Sequence, residues 1–196
     1  MMTRAVSRAS FNNGGTVVAL MREHEEVDQE VRKGSATWTF LKPHLYMQNL
    51  LRAAEAVRTK GLISAPMGVN SIPLVDTRDA GEVAAMVLRD PAAHVGKEYA
   101  LTGPEAVSYD DVAEALTTVA GRPVKYEAVA PEEYENRLQA TGMPDWRAFD
   151  LAHIASAYSD NDNAPSPDIA KLLGRQPKSL SEFLEDHRGF YSAHQG

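Results

Sequence analysis

The chain has 196 residues, 43% of them hydrophobic and 24% charged, enough for one globular domain or a domain with a small lobe. Its net charge of −7 repels polyanions, so neither nucleic acid nor an anionic membrane surface is an expected partner. It has no cysteine, which excludes disulfides, thiolate metal sites and cysteine nucleophiles.

Residues 1 to 16 are small and polar and end in the turn-forming Asn12-Asn13-Gly14-Gly15. No apolar segment follows Arg4 and Arg8 as a secretory signal would require, and no run approaches the roughly 18 apolar residues of a membrane span. A cytoplasmic protein is expected. Leu20, His24, Val27 and Val31 then fall at helical spacing, with Glu23, Glu26 and Glu30 on the other face, and Gly34 stops that helix.

T-W-T-F-L (37–41) predicts a strand whose alternation puts Trp38 and Phe40 on one face, as core. Pro43, His44, Tyr46, Gln48 and Asn49 follow, and Asn49 to Lys60 predicts a helix capped by Gly61. I-P-L-V-D predicts a short strand ending at Asp76. Beyond it Ala80, Val83, Ala84, Val87 and Leu88 form one helical stripe, and Asp79 with Glu82 has capping-box spacing. K-E-Y-A-L is a strand, Ser108 opens a helix ending at Gly121, P-V-K-Y-E-A-V-A is a strand, and Pro131 starts the next helix. From Gly142 the pattern is helical but irregular, 159–167 is a polar loop, and two short helices close the chain. One of them ends at Gly174 and the other is opened by Ser179 or Ser181. Strands alternating with helices make the chain α/β.

In an open α/β sheet ligands bind where strands end and helices begin, which puts the stretch after Leu41 at a candidate site. Tyr46 and Met47 lie just past the strand end, and both packing and pocket lining are open to them. Several chemical signatures are missing. No two glycines are separated by one or two residues, so no glycine-rich turn lets backbone approach a pyrophosphate. No tyrosine has a lysine four positions on, and neither H-E-x-x-H nor G-x-S-x-G occurs. His24 beside Glu25 and Asp28 reads as a half-buried histidine on an acidic helix rather than a metal ligand, and no metal is expected. Asp76 and Asp79 resemble a catalytic carboxylate pair, but their place at a helix start is better explained by capping and the helix dipole.

The series H-E-E-V-D-Q-E-V-R-K-G-S-A-T-W-T-F-L-K-P-H-L-Y-M-Q-N-L-L resembles the middle of an NmrA-like protein, an atypical short-chain dehydrogenase/reductase. So do I-P-L-V-D-T-R-D-A-G-E-V-A-A-M-V-L, G-K-E-Y-A-L-T-G-P-E-A-V-S-Y-D-D-V-A, G-R-P-V-K-Y-E-A-V-A-P-E-E-Y and P-K-S-L-S-E-F-L-E-D-H, in that order, from about Val6 to Phe190. The resemblance implies a partial Rossmann-like parallel sheet with a small, mostly helical substrate lobe. Residues 1–60 and 72–90 would belong to the sheet-and-helix remnant, and 61–71 with 91–196 mainly to the lobe.

The resemblance also implies NADP or NAD as cofactor and reduction of quinones, azo dyes or related small molecules. It covers only the family's C-terminal portion, so about a hundred residues carrying the G-x-x-G-x-x-G half would be missing and cofactor binding by this chain alone would be weak. Carried over by position, Ser7 or Ser10 stands where the strand-end serine would be. His24 stands for the catalytic lysine, and Leu20 replaces the tyrosine, so the usual proton donor is lost. Pro43, His44 and Leu45 would border the nicotinamide, and Tyr46, Met47 and Asn49 the substrate. Two other readings stay open: a non-catalytic redox-sensing or interaction module that self-associates or pairs with another chain through an exposed sheet edge, and a start assigned too far downstream.

Overall fold

A computed structural model describes residues 27–158 and 164–192. Strand β1 (Thr39–Pro43) starts two residues later than the sequence suggests and ends on Pro43, a position where a missing N–H is tolerated. It pairs in parallel with β3 (Lys97–Leu101), in a register running from Thr39 opposite Lys97 to Pro43 opposite Leu101. The sheet therefore draws on both sides of the boundary at residue 90 that the sequence suggests. A second parallel pair joins β2 (Leu62–Ala65) to β4 (Lys125–Ala128).

The strands are connected by helices, as parallel pairing requires. Helix α1 covers 27–33. A 3-10 segment (Met47–Ala53) runs into α2 (Ala54–Lys60), which Gly61 ends in the left-handed conformation. A Cβ on Gly61 would lie 2.5 Å from the Pro123 carbonyl oxygen, so no other residue fits that turn as built. Helix α3 (Thr77–Arg89) follows, then α4 (Tyr109–Ala120), opened by a complete capping box of Ser108 with Asp111. Pro131 is the first residue of α5 (Pro131–Ala140), which packs against α6 (Asp145–Tyr158) as a helical hairpin. The chain closes on α7 (Asp168–Leu173), α8 (Leu180–Asp186) and α9 (Arg188–Tyr191). Ser179, not Ser181, caps α8 by a capping box with Glu182, and the closing helices are three rather than two.

Two buried clusters result. The larger gathers Met47, Leu50, Val57, Ile63, Met67, Ile72, Val112, Leu116, Phe183, Leu184 and Tyr191 between the β2–β4 pair and the helices α2, α4, α8 and α9. The smaller joins Val75, Val83, Val87, Leu101 and Ile169 beneath the β1–β3 pair.

Several expectations are corrected. I-P-L-V-D is not a strand: it makes only isolated bridges, Ile72 to Val107 and Val75 to Tyr46. Asp76, not Asp79, is the N-cap of α3, and its side chain accepts the Arg78 N–H. Leu88 leaves the α3 stripe and is 76% exposed, its place taken by Met86. Val27 and Val31 are exposed rather than inward-facing. Trp38 and Phe40 do share a face, but they stack on each other at 4.6 Å, half-buried under the Arg32 guanidinium, outside both clusters. The strand β2 went unforeseen.

Candidate functional site

Past Pro43 the backbone is tied to its neighbours one residue after another. His44 N–H donates to the Leu101 carbonyl at 3.0 Å, Val75 N–H to Leu45 at 2.9 Å, and Met47 N–H to Val75 at 2.9 Å. This stitching fixes which side chains face outward from the strand end. Leu45, Tyr46 and Asn49 face a cavity of about 420 Å3, within the range of small-molecule sites. Met47 points the other way, 1% exposed in the larger core, so the choice that the sequence left open resolves to packing. Pro43 and His44 are not among the cavity-lining residues. The His44 ring is half-buried, and burial pushes its pKa below the ordinary histidine value, so it is neutral at pH 7. Ser7, Ser10, Leu20 and His24 lie outside the described residues.

The floor of the cavity comes from the 3-10 segment, α2 and β2, through Leu50, Ala53, Ala56, Ile63 and Ala65. Its roof is the α5–α6 hairpin, which contributes Tyr134, Arg137, Leu138, Arg147, Asp150 and Leu151. A side-chain tie holds roof to floor. Arg137 Nη1 donates to Glu127 Oε2 at 2.7 Å, Ser64 Oγ donates to the same oxygen at 2.7 Å, and Arg137 also pairs with Glu133. The Arg137 guanidinium and the Ser64 hydroxyl hold the Glu127 carboxyl at about 2. Burial raises the pKa of Tyr134 and of Tyr109, which keeps both phenols protonated and able to donate. Burial likewise raises that of Asp150.

The sequence pointed to Tyr46 and Asn49, and to the region from 142 to 167 as the part that folds over the strand end, but to none of the individual roof side chains. The only signal for these was the tyrosine and the two arginines at irregular spacing between Tyr134 and Arg147.

A dinucleotide would need a cradle for its pyrophosphate, where backbone approaches closely because Cβ is absent. The described glycines stand singly in the sequence and form no closely spaced group, and at Gly61 and Gly103 the space that a Cβ would take is filled by protein. A Cβ on Gly103 would lie 2.2 Å from the Leu74 carbonyl oxygen. The described residues therefore do not fit the phosphate half of a nucleotide, whereas the strand-end wall and the cavity offer room for a small organic molecule. Among the described residues no group of three or more His, Asp or Glu is arranged to hold a metal ion, and no helix is long and apolar enough to cross a membrane.

Comparison with known proteins is consistent with this geometry. The model of the NmrA-like family matches residues 17–184. The NAD(P)H azoreductase of Xenophilus azovorans is 35% identical over 169 residues, covering 86% of this chain and 59% of that protein. The NADPH-dependent quinone oxidoreductase of Escherichia coli, in its complex with NADPH, superposes with a TM-score of 0.77 at 27% identity, over 85% of this chain and 59% of that one. The triphenylmethane reductase of Citrobacter sp., complexed with NADP(H), gives 0.75 at 26%, over 86% and 59%. The chain thus spans about three-fifths of the length of these relatives. The likeness shows the expected fold: α/β, a partial Rossmann-like parallel sheet with a mostly helical lobe.

Proposed function

The chain belongs to the NmrA-like family, and we propose that it serves the substrate side of an NAD(P)H-dependent reduction of quinone-like or related small organic molecules. The observation that carries this reading is the cavity at the end of β1, walled by Leu45, Tyr46 and Asn49 and roofed by α5 and α6. Relatives named as a quinone oxidoreductase and an azoreductase support it. Tyr46 and Asn49 contact substrate, and the phenols of Tyr109 and Tyr134 supply donors in an otherwise largely apolar wall. Pro43, His44 and Leu45 form the nicotinamide side, with Ser7 or Ser10 and His24 assigned by position in the family. Residues 61–71 and 91–196 remain mainly the substrate lobe, apart from β3, and a cytoplasmic location belongs to the same reading.

NADP or NAD is the cofactor by family, but this chain alone binds it weakly. The reason is that no glycine-rich turn occurs in the sequence and no pyrophosphate cradle among the described residues. The test is oxidation of NADPH and of NADH, with and without 2-methyl-1,4-naphthoquinone. Slow quinone-dependent oxidation at millimolar nucleotide, with no saturation in the micromolar range, is expected. Micromolar saturation would contradict the weak-binding part, and no oxidation at any nucleotide concentration would contradict the reductase part.

A second reading is favoured by one observation, the half-exposed Trp38–Phe40 stack on β1 with Val27 and Val31 exposed on α1. In that reading the β1–β3 pair is where two copies associate. Light scattering across a concentration series should then show mass growth, and a monomer throughout would contradict it.

A further inference from the structure

Three guanidinium groups reach the cavity wall, and they differ in how their charge is met. Arg137 is committed to two carboxylates, those of Glu127 and Glu133. Arg52, at the end of the 3-10 segment, and Arg147, on α6, line the same cavity with no carboxylate partner among the described residues. Asp150 is one turn from Arg147 on the same helix and also lines the cavity, yet the two form no ion pair. The rest of the wall is mostly apolar, with tyrosine rings at Tyr46, Tyr109 and Tyr134.

We propose that this cavity selects small aromatic molecules carrying an anionic substituent, a carboxylate or sulfonate, with Arg52 and Arg147 as the residues that determine the preference. The inference rests on the reading of the cavity as the substrate site. Aliphatic side chains and phenol rings remove the aromatic body from water, and a guanidinium matches a planar carboxylate by paired N–H donors. Arg52 is solvent-exposed and sits near enough to Tyr134, on the roof, to favour the ionised form of that phenol electrostatically. Arg147 approaches from that roof. An anion held between them would join the floor to the α5–α6 hairpin.

The experiment is titration calorimetry of the full chain, without nucleotide, using 2-naphthoate and its neutral counterpart 2-naphthamide. The carboxylate should bind about tenfold more tightly. Arg52→Gln and Arg147→Gln should each remove much of that ratio, the double variant should bring it to about one, and lysine at either position should retain part of it. Raising the salt should narrow the ratio, and Arg89→Gln on α3 should leave it unchanged. A ratio near one in the unsubstituted chain, no binding of either probe, or a preference that survives the double variant would overturn the proposal. The reductase reading fails separately: an intact naphthoate preference without any nicotinamide-dependent turnover supports this inference and counts against that reading.

Discussion

Asp76 shows how one buried carboxylate can organise a helix start. It is fully buried and accepts from the Arg78 N–H, the Arg78 guanidinium and the Gln48 amide. Burial alone would raise its pKa, but these donors win and hold it below the ordinary value of 3.8. A depressed folded value means stability that is present above pH 3.8 and lost as pH falls through the folded value. Asp76→Asn, which keeps the cap but loses the charge, should cost about 1–2 kcal/mol at pH 7, with the deficit fading below pH 3.8. Urea denaturation at the two pH values checks it; a deficit independent of pH would count against the ionised form. The capping role of Asp76 was legible because an acid at a helix start is a local pattern. The role of Asp79 was not legible, since it caps nothing on α3: it is fully buried, accepts the Lys178 N–H at 2.7 Å and pairs with Arg175, partners about a hundred positions away. Gly103 was equally hidden, since T-G-P reads as any turn. Its Cβ would meet backbone that cannot swing aside, so Gly103→Ala should destabilise by about 2–3 kcal/mol in the same assay, and a neutral result would mean that the Leu74 carbonyl can move.

Among the elements, the α5–α6 hairpin stands outside both buried clusters. Neither α5 nor the described part of α6 enters the larger core, and the Glu127–Arg137 pair is a main link to β4. Glu127, depressed to about 2 by Arg137 and Ser64, keeps that tie charged above pH 4.5 and loses it as pH falls through about 2. Arg137→Gln should therefore speed amide hydrogen exchange over 131–158 at neutral pH while leaving α4 and α8 unchanged, and exchange that rises everywhere would mean that the pair supports the whole fold. Elements with strong local signals were readable in advance: β3 and β4 as short segments between turn residues, α4 from Ser108 to Gly121, α5 from Pro131. β2 was not, because L-I-S-A is four residues long and shows no alternation that outweighs the preceding helix. I-P-L-V-D has strand composition, but its backbone pairs in isolated bridges because it crosses between the two sheets rather than running along either.

In the whole molecule, two cores meet at α3. Its first turn links to α8 through Arg78 and Asp186 at 2.8 Å, and to the segment before α8 through Asp79, while its buried face packs under β1 and β3. The order of the family's segments was legible in the sequence, and so was the strand end that Leu45, Tyr46 and Asn49 occupy. The cavity itself was not, because its wall is assembled from residues 45–66, 74, 109 and 134–151, and no local pattern records that convergence. The claim that this cavity is the substrate site is tested most directly by titrating the chain with 2-methyl-1,4-naphthoquinone and repeating the titration with Ala56→Phe, whose added ring fills the floor. Saturable binding that the substitution abolishes, with the thermal midpoint kept, is the predicted result. Equal binding by both chains would contradict the assignment.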